Sequence, residues 1–397
     1  MNRLGPAPSL ATALLPLIGG QLCLHSGMAG LRMAAPLLAL RDGHSAFAVG
    51  VLLALFAAAP IALALAAGRM ADRHGYHRPV RVAVALALAG GALAAGAAWL
   101  AGGWRYGGLC AAAVLSGAGA NFGLIAIQRT AGRLAQDPTD LKRVFSWLGL
   151  APALSNVVGP VLAGVLIDAA GFAAAFAALA LLPLGATVWA RRVPVEPPAV
   201  APHREAGGTR RAALQMLADP AMRRLLLVNW LLSTSWDVHS FAVPVLGHER
   251  GLSASAIGVI LGVFALSVAG VRVVIPALAH RLREAQVLAG AMLLTAAVFG
   301  LYPLAASAWS MAVCALVLGL ALGAVQPMIM STLHQITPPH RHGQAIALRS
   351  MTINISSTVM PLGFGVLGAS LGAAALFWVM GAAVGAGSWP ARRLGRQ

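Results

Sequence analysis

Five ionisable side chains stand inside stretches of sequence that are otherwise apolar: His25, Arg32, Asp237, His239 and Arg272. A charged group in hydrocarbon is costly, so such residues face a cavity or a partner and mark where a solute or a proton is handled. Asp237 is the one acid placed deep in such a stretch, where a carboxyl can hold a proton or a cationic group; the alternative is an ion pair with Arg32 or Arg272. Arg32 suits an anion, unless it serves that ion pair or reaches the outer interface. His25 can carry protons or pack as a hydrogen-bonded core histidine. In a helix, about 100° per residue puts positions seven apart on one face. Gln21, His25 and Arg32 therefore form one polar stripe, and Asn229, Ser233 and Ser240 form another that includes Asp237. His239 is turned about 200° from Asp237 at that angle per residue and reads as structural. Arg272 can snorkel toward the nearer interface. Asn121 and Gln128, also seven apart, and Gln326 beside Pro327 are further hydrogen-bonding candidates. Trp230 and Trp236 read as lipid or packing contacts before solute contacts.

Helices must carry these side chains. Of 397 residues, 59% are hydrophobic and 10% charged, whereas soluble domains hold about 25% charged residues. Apolar runs recur near 12–38, 46–67, 80–101, 107–128, 144–168 and 172–190, then near 224–246, 254–279, 285–305, 309–332, 345–369 and 372–389. Each has about the 20 residues that one helical crossing of a bilayer needs. The expectation is an all-α membrane protein with twelve transmembrane helices and both termini on the cytoplasmic side. The net charge of +17 fits that topology. Of the 28 Lys and Arg residues, all but Arg32, Arg41, Arg105, Arg250 and Arg272 fall at expected cytoplasmic positions, so the positive-inside bias accounts for them without nucleic acid.

The first apolar run could pass for a signal peptide, but the internal repeat described next needs it as a helix. Cys23, Cys110 and Cys314 each lie in a run and read as packing residues. No metal-ligand spacing, nucleotide-binding segment, paired carboxylate or activated nucleophile is present, which argues against an enzyme, an ATP-driven pump and a bound cofactor. Gly117 to Gly119 and Gly319 to Gly323 read as helix-contact glycines, since no strand precedes them and no lysine follows. Lys142 is the single lysine, and abundant Ala and Gly point to a GC-rich bacterial genome.

The chain repeats itself. Pro36–Phe56 aligns with Pro244–Phe264 at a shift of 208 without a gap, bringing Gly43 onto Gly251 and Gly50 onto Gly258. At a shift of 201, Pro160, Gly164, Gly171 and Phe176 meet Pro361, Gly365, Gly372 and Phe377. These matches divide the chain into a six-helix half at 1–190, a Pro-, Gly- and Arg-rich linker at 191–221, and a second six-helix half at 222–397.

Two motifs carry a family resemblance. Gly68, Asp72, Arg73, Gly75 and Arg78 lie in GRMADRHGYHR, which resembles the G-x-x-x-D-R-x-G loop after the second helix of major facilitator superfamily transporters. The resemblance implies two pseudo-symmetric bundles with a solute site between them near mid-bilayer. It also implies that this loop latches the cytoplasmic side, with Gly68 allowing close helix approach and Gly75 a tight turn. Tyr76 and His77 stand where the family has a basic pair, which would weaken the latch or make it pH-sensitive. Gly159, Pro160 and Gly164 lie in a segment similar to G-x-x-x-G-P-x-x-G-G of drug/proton antiporters, with Ser155 and Ala163 replacing two glycines; ordinary small-residue packing is the alternative. Ala113 stands where many proton-coupled members have an arginine. In that family spans 1, 4, 7 and 10 line the cavity, which makes Asp237, Arg32, His25, Gln21, Asn229, Ser233, Asn121 and Gln326 the cavity candidates. The resulting expectation is a monomer in a bacterial inner membrane, exporting a small organic solute against a proton gradient. The alternative is uptake of a small organic anion by proton symport or uniport.

Overall fold

The computed structural model describes residues 10–134, 144, 147–195, 216–278, 283–337, 342–392 and 394. Most of the expected linker, 191–221, lies outside them. Among the described residues there is no strand, as the bilayer demands of a chain that is not a barrel: only a helix satisfies every backbone group within its own segment.

Among the described residues, the first part of the chain holds helices α1 (Leu10–Arg41), α2 (Ala46–His74), α3 (His77–Ala97), α4 (Gly102–Leu134), α5 (Leu150–Leu181) and α6 (Leu184–Ala190). The second part holds α7 (Pro220–Glu249), α8 (Ala254–Leu278), α9 (Glu284–Leu301), α10 (Ala308–Gly323), α11 (Val325–Ile336) and α12 (His342–Arg392). Local chemistry sets several starts. Asp219 caps α7, its carboxylate accepting from the Ala221 amide at 2.9 Å with Pro220 in the first turn. Ser307 and Ser310 cap α10 reciprocally.

Nine helical stretches among the described residues are long and apolar enough to cross a membrane. Two are far longer than one crossing needs: 41 residues at Leu150–Ala190 and 45 at Leu348–Arg392. The first breaks at Gly171 (φ 82°) and the second at Gly372 (φ 83°), two positions related by the 201 shift. Gly43 and Gly251, related by the 208 shift, are likewise both left-handed. The repeat read from the sequence is thus a repeat of backbone conformation. At 30 residues α7 is long enough to span; its polar residues keep it out of the nine.

The chain forms two compact units. One comprises Met1–Ala35 and Leu55–Pro202, the other Pro36–Ala54 and His203–Gln397. The first is packed around a cluster that joins Leu14, Leu17 and Leu24 of α1 to Val80 and Ala83 of α3, Phe122 and Ile127 of α4, and Ala186 of α6. Tyr76, from the loop after α2, is 1% exposed and belongs to this cluster. Glycines bring the helices together. A side chain on Gly117 of α4 would collide with the Phe56 carbonyl of α2, a carbonyl freed because Pro60, four residues on, has no N–H. In the second unit Gly319 of α10 meets the Phe264 carbonyl of α8 in the same way, a Cβ there lying 2.5 Å from it. Phe56 and Phe264 are repeat mates, so the small-residue contact expected of these glycines recurs in both units.

Residues 36–54 pack with the second unit for a steric reason. A Cβ on Gly50 would collide with the Pro361 carbonyl of α12, and one on Gly365 would lie 2.9 Å from Phe47 Cα. The second unit also pairs α7 with α12, α8 with α10 and α9 with α12.

Candidate functional site

A polar seam runs between α7 and the first part of α12. Arg349 Nε donates to Asn229 Oδ1 at 3.1 Å, the Thr234 and Ser356 hydroxyls bond at 3.2 Å, and Ser357 Oγ donates to Asp237 Oδ2 at 3.4 Å. Arg349 follows Asn229 by 120 positions and Ser357 follows Asp237 by the same number, so the two helices run in the same direction in nearly constant register. From Asn229 to Asp237 is about 12 Å at 1.5 Å per residue. The seam therefore offers a guanidinium near one end and a carboxyl near the other, joined by hydroxyls. Asp237 is 8% exposed and Asn229 2%. Asn229 Nδ2 is a buried donor with no partner among the described residues. Ser233 and Ser240 are half-buried on the same helix.

Sequence reasoning named Asn229, Ser233 and Asp237 but missed Arg349, Ser356 and Ser357. Arg349 was counted among the cytoplasmic arginines. The repeat held a usable signal: the 201 shift that pairs Pro160 with Pro361 also carries Ser155 onto Ser356 and Asn156 onto Ser357. Ser155 plays the corresponding part in the first unit, its hydroxyl donating to Ala151 O at 2.8 Å and to Leu22 O of α1 at 3.3 Å.

The α1 stripe lies in the first unit. Gln21 is 1% exposed, and its Oε1 and His25 Nδ1 have no partner among the described residues. Arg32 is half-buried. The antiporter-like segment crosses this helix at backbone contact: a Cβ on Gly159 would lie 2.5 Å from Ser26 O and 2.7 Å from Gly30 N. Pro160 and Gly164 are buried in the same helix.

Other candidates are engaged elsewhere. Asn121 Nδ2 donates to the Pro60 carbonyl at 3.3 Å, tying α4 to α2. Gln128 is exposed. Arg272 Nη2 donates to Gln326 Oε1 at 3.2 Å, linking α8 to α11. His239 is buried and packs against aromatic residues. Its Nε2 lies 3.1 Å from Tyr302 Oη, and its ring lies 4.3 Å from that of Phe264. Tyr302 in turn stacks on Phe377 at 4.6 Å. His239→Ala would open a hole in this stack and orphan the buried Tyr302 hydroxyl, at about 2–4 kcal/mol. The expected result is a melting temperature lower by several degrees, measured on the purified protein in detergent.

The loop after α2 differs in part from expectation. Gly75 takes φ 64° and makes the tight turn. A Cβ on Gly68 would meet no described residue within 4 Å. The Asp72 side chain lies outside the described residues, and Arg73 is exposed. Arg78 Nη1 donates to His74 Nε2 at 2.6 Å. The residues in place of the basic pair hold the loop to its own unit: Tyr76 enters the core, and His77 Nε2 reaches Ala190 O of α6 at 3.1 Å. His77→Ala should cost about 1 kcal/mol, one hydrogen bond to a part-buried carbonyl, and lower the melting temperature by a few degrees.

The family profile described as Major Facilitator Superfamily matches residues 17–282 and, again, 225–394. The chain belongs to the major facilitator superfamily. Among solved structures, a POT family transporter in complex with a thioalcohol-conjugated peptide is 13% identical, with a TM-score of 0.76 over 95% of this chain and 94% of that one. The nucleoside transporter NupG is 12% identical, with a TM-score of 0.75 over 98% and 100%. A peptide transporter POT is 15% identical, with a TM-score of 0.73 over 96% and 95%. At these identities the likeness is one of fold. No curated protein matches the chain by sequence. As a major facilitator it is a multi-pass membrane transporter.

Proposed function

We propose that the protein exports a small organic solute in exchange for protons, by alternating access of two six-helix halves, and that the Asp237 carboxyl takes the coupling proton. The observation that carries this reading is the seam, which sets a nearly buried carboxyl beside the Ser357 hydroxyl, on the helix whose Asn229 accepts from Arg349 of α12. A carboxyl so placed can exchange its proton only when a path to it opens, which is the requirement for coupling. The close crossing of α5 and α1 at Gly159 supports export, since it gives the antiporter-like segment the thin helix face its small residues suggest.

The same reading counts twelve crossings. The stretches broken at Gly171 and Gly372 supply two each, and α7 supplies one more. The halves are 1–190 and 222–397, joined by 191–221, with both termini in the cytoplasm of a bacterium. The protein works as a monomer in the inner membrane and uses the proton gradient with no bound cofactor. A specific observation favours a second reading, uptake of an organic anion: Arg349 places a cationic group in the seam.

The test uses inverted vesicles acidified inside by respiration and followed with a pH-sensitive dye. Cationic, neutral and anionic compounds are added in turn. Protein-dependent release of protons upon addition of a compound is the expected result. Absence of release from every compound, with accumulation of an organic anion by intact cells, would overturn export in favour of uptake.

A further inference from the structure

A cavity of about 740 Å³ opens at the end of the second unit where α9 begins and α12 ends, with Arg283, Arg392, Gln286 and Gln335 in its wall. Glu284 also lines it, but its Oε1 already accepts from Ser331 Oγ at 2.7 Å and Gln335 Nε2 at 2.8 Å. Arg283 and Arg392 are exposed, and neither pairs with another described residue. With two guanidiniums against one carboxylate, the described lining of the cavity is net positive. Its other wall is apolar and follows α9 by one to three turns: Ala289, Gly290 and Leu293. A Cβ on Gly290 would meet no described residue within 4 Å, and Leu293 is exposed, so among the described residues this wall is an open groove along the helix. Trp389, one turn before Arg392, is 63% exposed; Trp and Arg at one helix end mark the level of lipid headgroups.

We propose that this cavity binds an anionic glycerophospholipid, its phosphate against Arg283 and Arg392 and one acyl chain along the groove past Gly290 and Leu293. Charge selects the phosphate group, and the groove selects a lipid over a free anion. Basic pockets between helices at the membrane surface have the chemistry to hold such headgroups. Neither the direction nor the coupling of transport enters this proposal.

The test adds phosphatidylglycerol, phosphatidylcholine or inorganic phosphate to the purified full chain in a non-ionic detergent. Retained lipid is counted by native mass spectrometry, and the melting temperature is followed. Phosphatidylglycerol should be retained in preference to phosphatidylcholine and should raise the melting temperature. The double variant Arg283→Gln, Arg392→Gln should weaken its retention roughly 25-fold, from about fivefold per arginine, while melting as the native protein does without lipid. Gly290→Trp should lower retention with both arginines in place. Equal retention of the two lipids, or a double variant that binds phosphatidylglycerol as the native chain does, would overturn the proposal. So would an equal rise in melting temperature with inorganic phosphate alone, which would make the cavity a site for the free anion.

Discussion

Asp237→Asn should abolish compound-dependent proton release in inverted vesicles while leaving exchange of labelled solute across the same vesicles. Asparagine matches the shape of aspartate, and its Oδ1 can still accept from Ser357, whose hydroxyl lies 3.4 Å from the carboxylate. The change therefore removes the negative charge of Asp237 together with its ability to take up and release a proton. In a seam where Asp237 is 8% exposed, no bulk water stands ready to replace that proton carrier. Release should fall to the level of vesicles lacking the protein. Asp237→Glu keeps the titrating group about one methylene further out and should retain part of the coupling. Full proton release by Asp237→Asn would remove Asp237 from the mechanism, and loss of both release and exchange would make it a binding residue instead.

Gly159→Val is expected to have the largest effect on folding. A Cβ at Gly159 would lie 2.5 Å from Ser26 O and 2.7 Å from Gly30 N, both backbone atoms of α1. Unlike a side chain, these cannot turn aside, so α1 and α5 must separate along the crossing. Overpacking a core costs about 1–3 kcal/mol where neighbours can adjust, and here they cannot, so the loss should exceed about 4 kcal/mol. The expected outcome is failure to recover a monodisperse protein by size-exclusion chromatography. Gly363 of α12 is the control, since a Cβ there would meet nothing within 4 Å. Gly363→Ala should leave the melting temperature unchanged or raise it slightly, by up to about 1 kcal/mol of helix propensity. Normal behaviour of Gly159→Val would show that α1 and α5 do not cross as closely as these distances require.

The amino-acid sequence by itself determined that the chain is helical, membrane-embedded and internally repeated. These properties follow from local composition: about 20 apolar residues make one crossing, and a fixed shift between matching segments makes a repeat. The polar stripe on α7 was legible for the same reason, since the angle per residue is known before any partner is. That angle also set His239 apart from Asp237. What a face meets is a different matter. Arg349 could have snorkelled to the surface, and only the packing of α7 against α12 brings its guanidinium to Asn229, 120 residues away. Tyr76 and His77 read as substitutions in a gating loop, yet the tertiary structure uses one to fill a core and the other to hold Ala190. Residues 36–54 continue helices of the first half along the chain but pack with the second unit, because Gly50 and Gly365 let α2 and α12 approach to backbone contact. Periodicity fixes which way a side chain points, whereas long-range packing fixes what stands there to receive it.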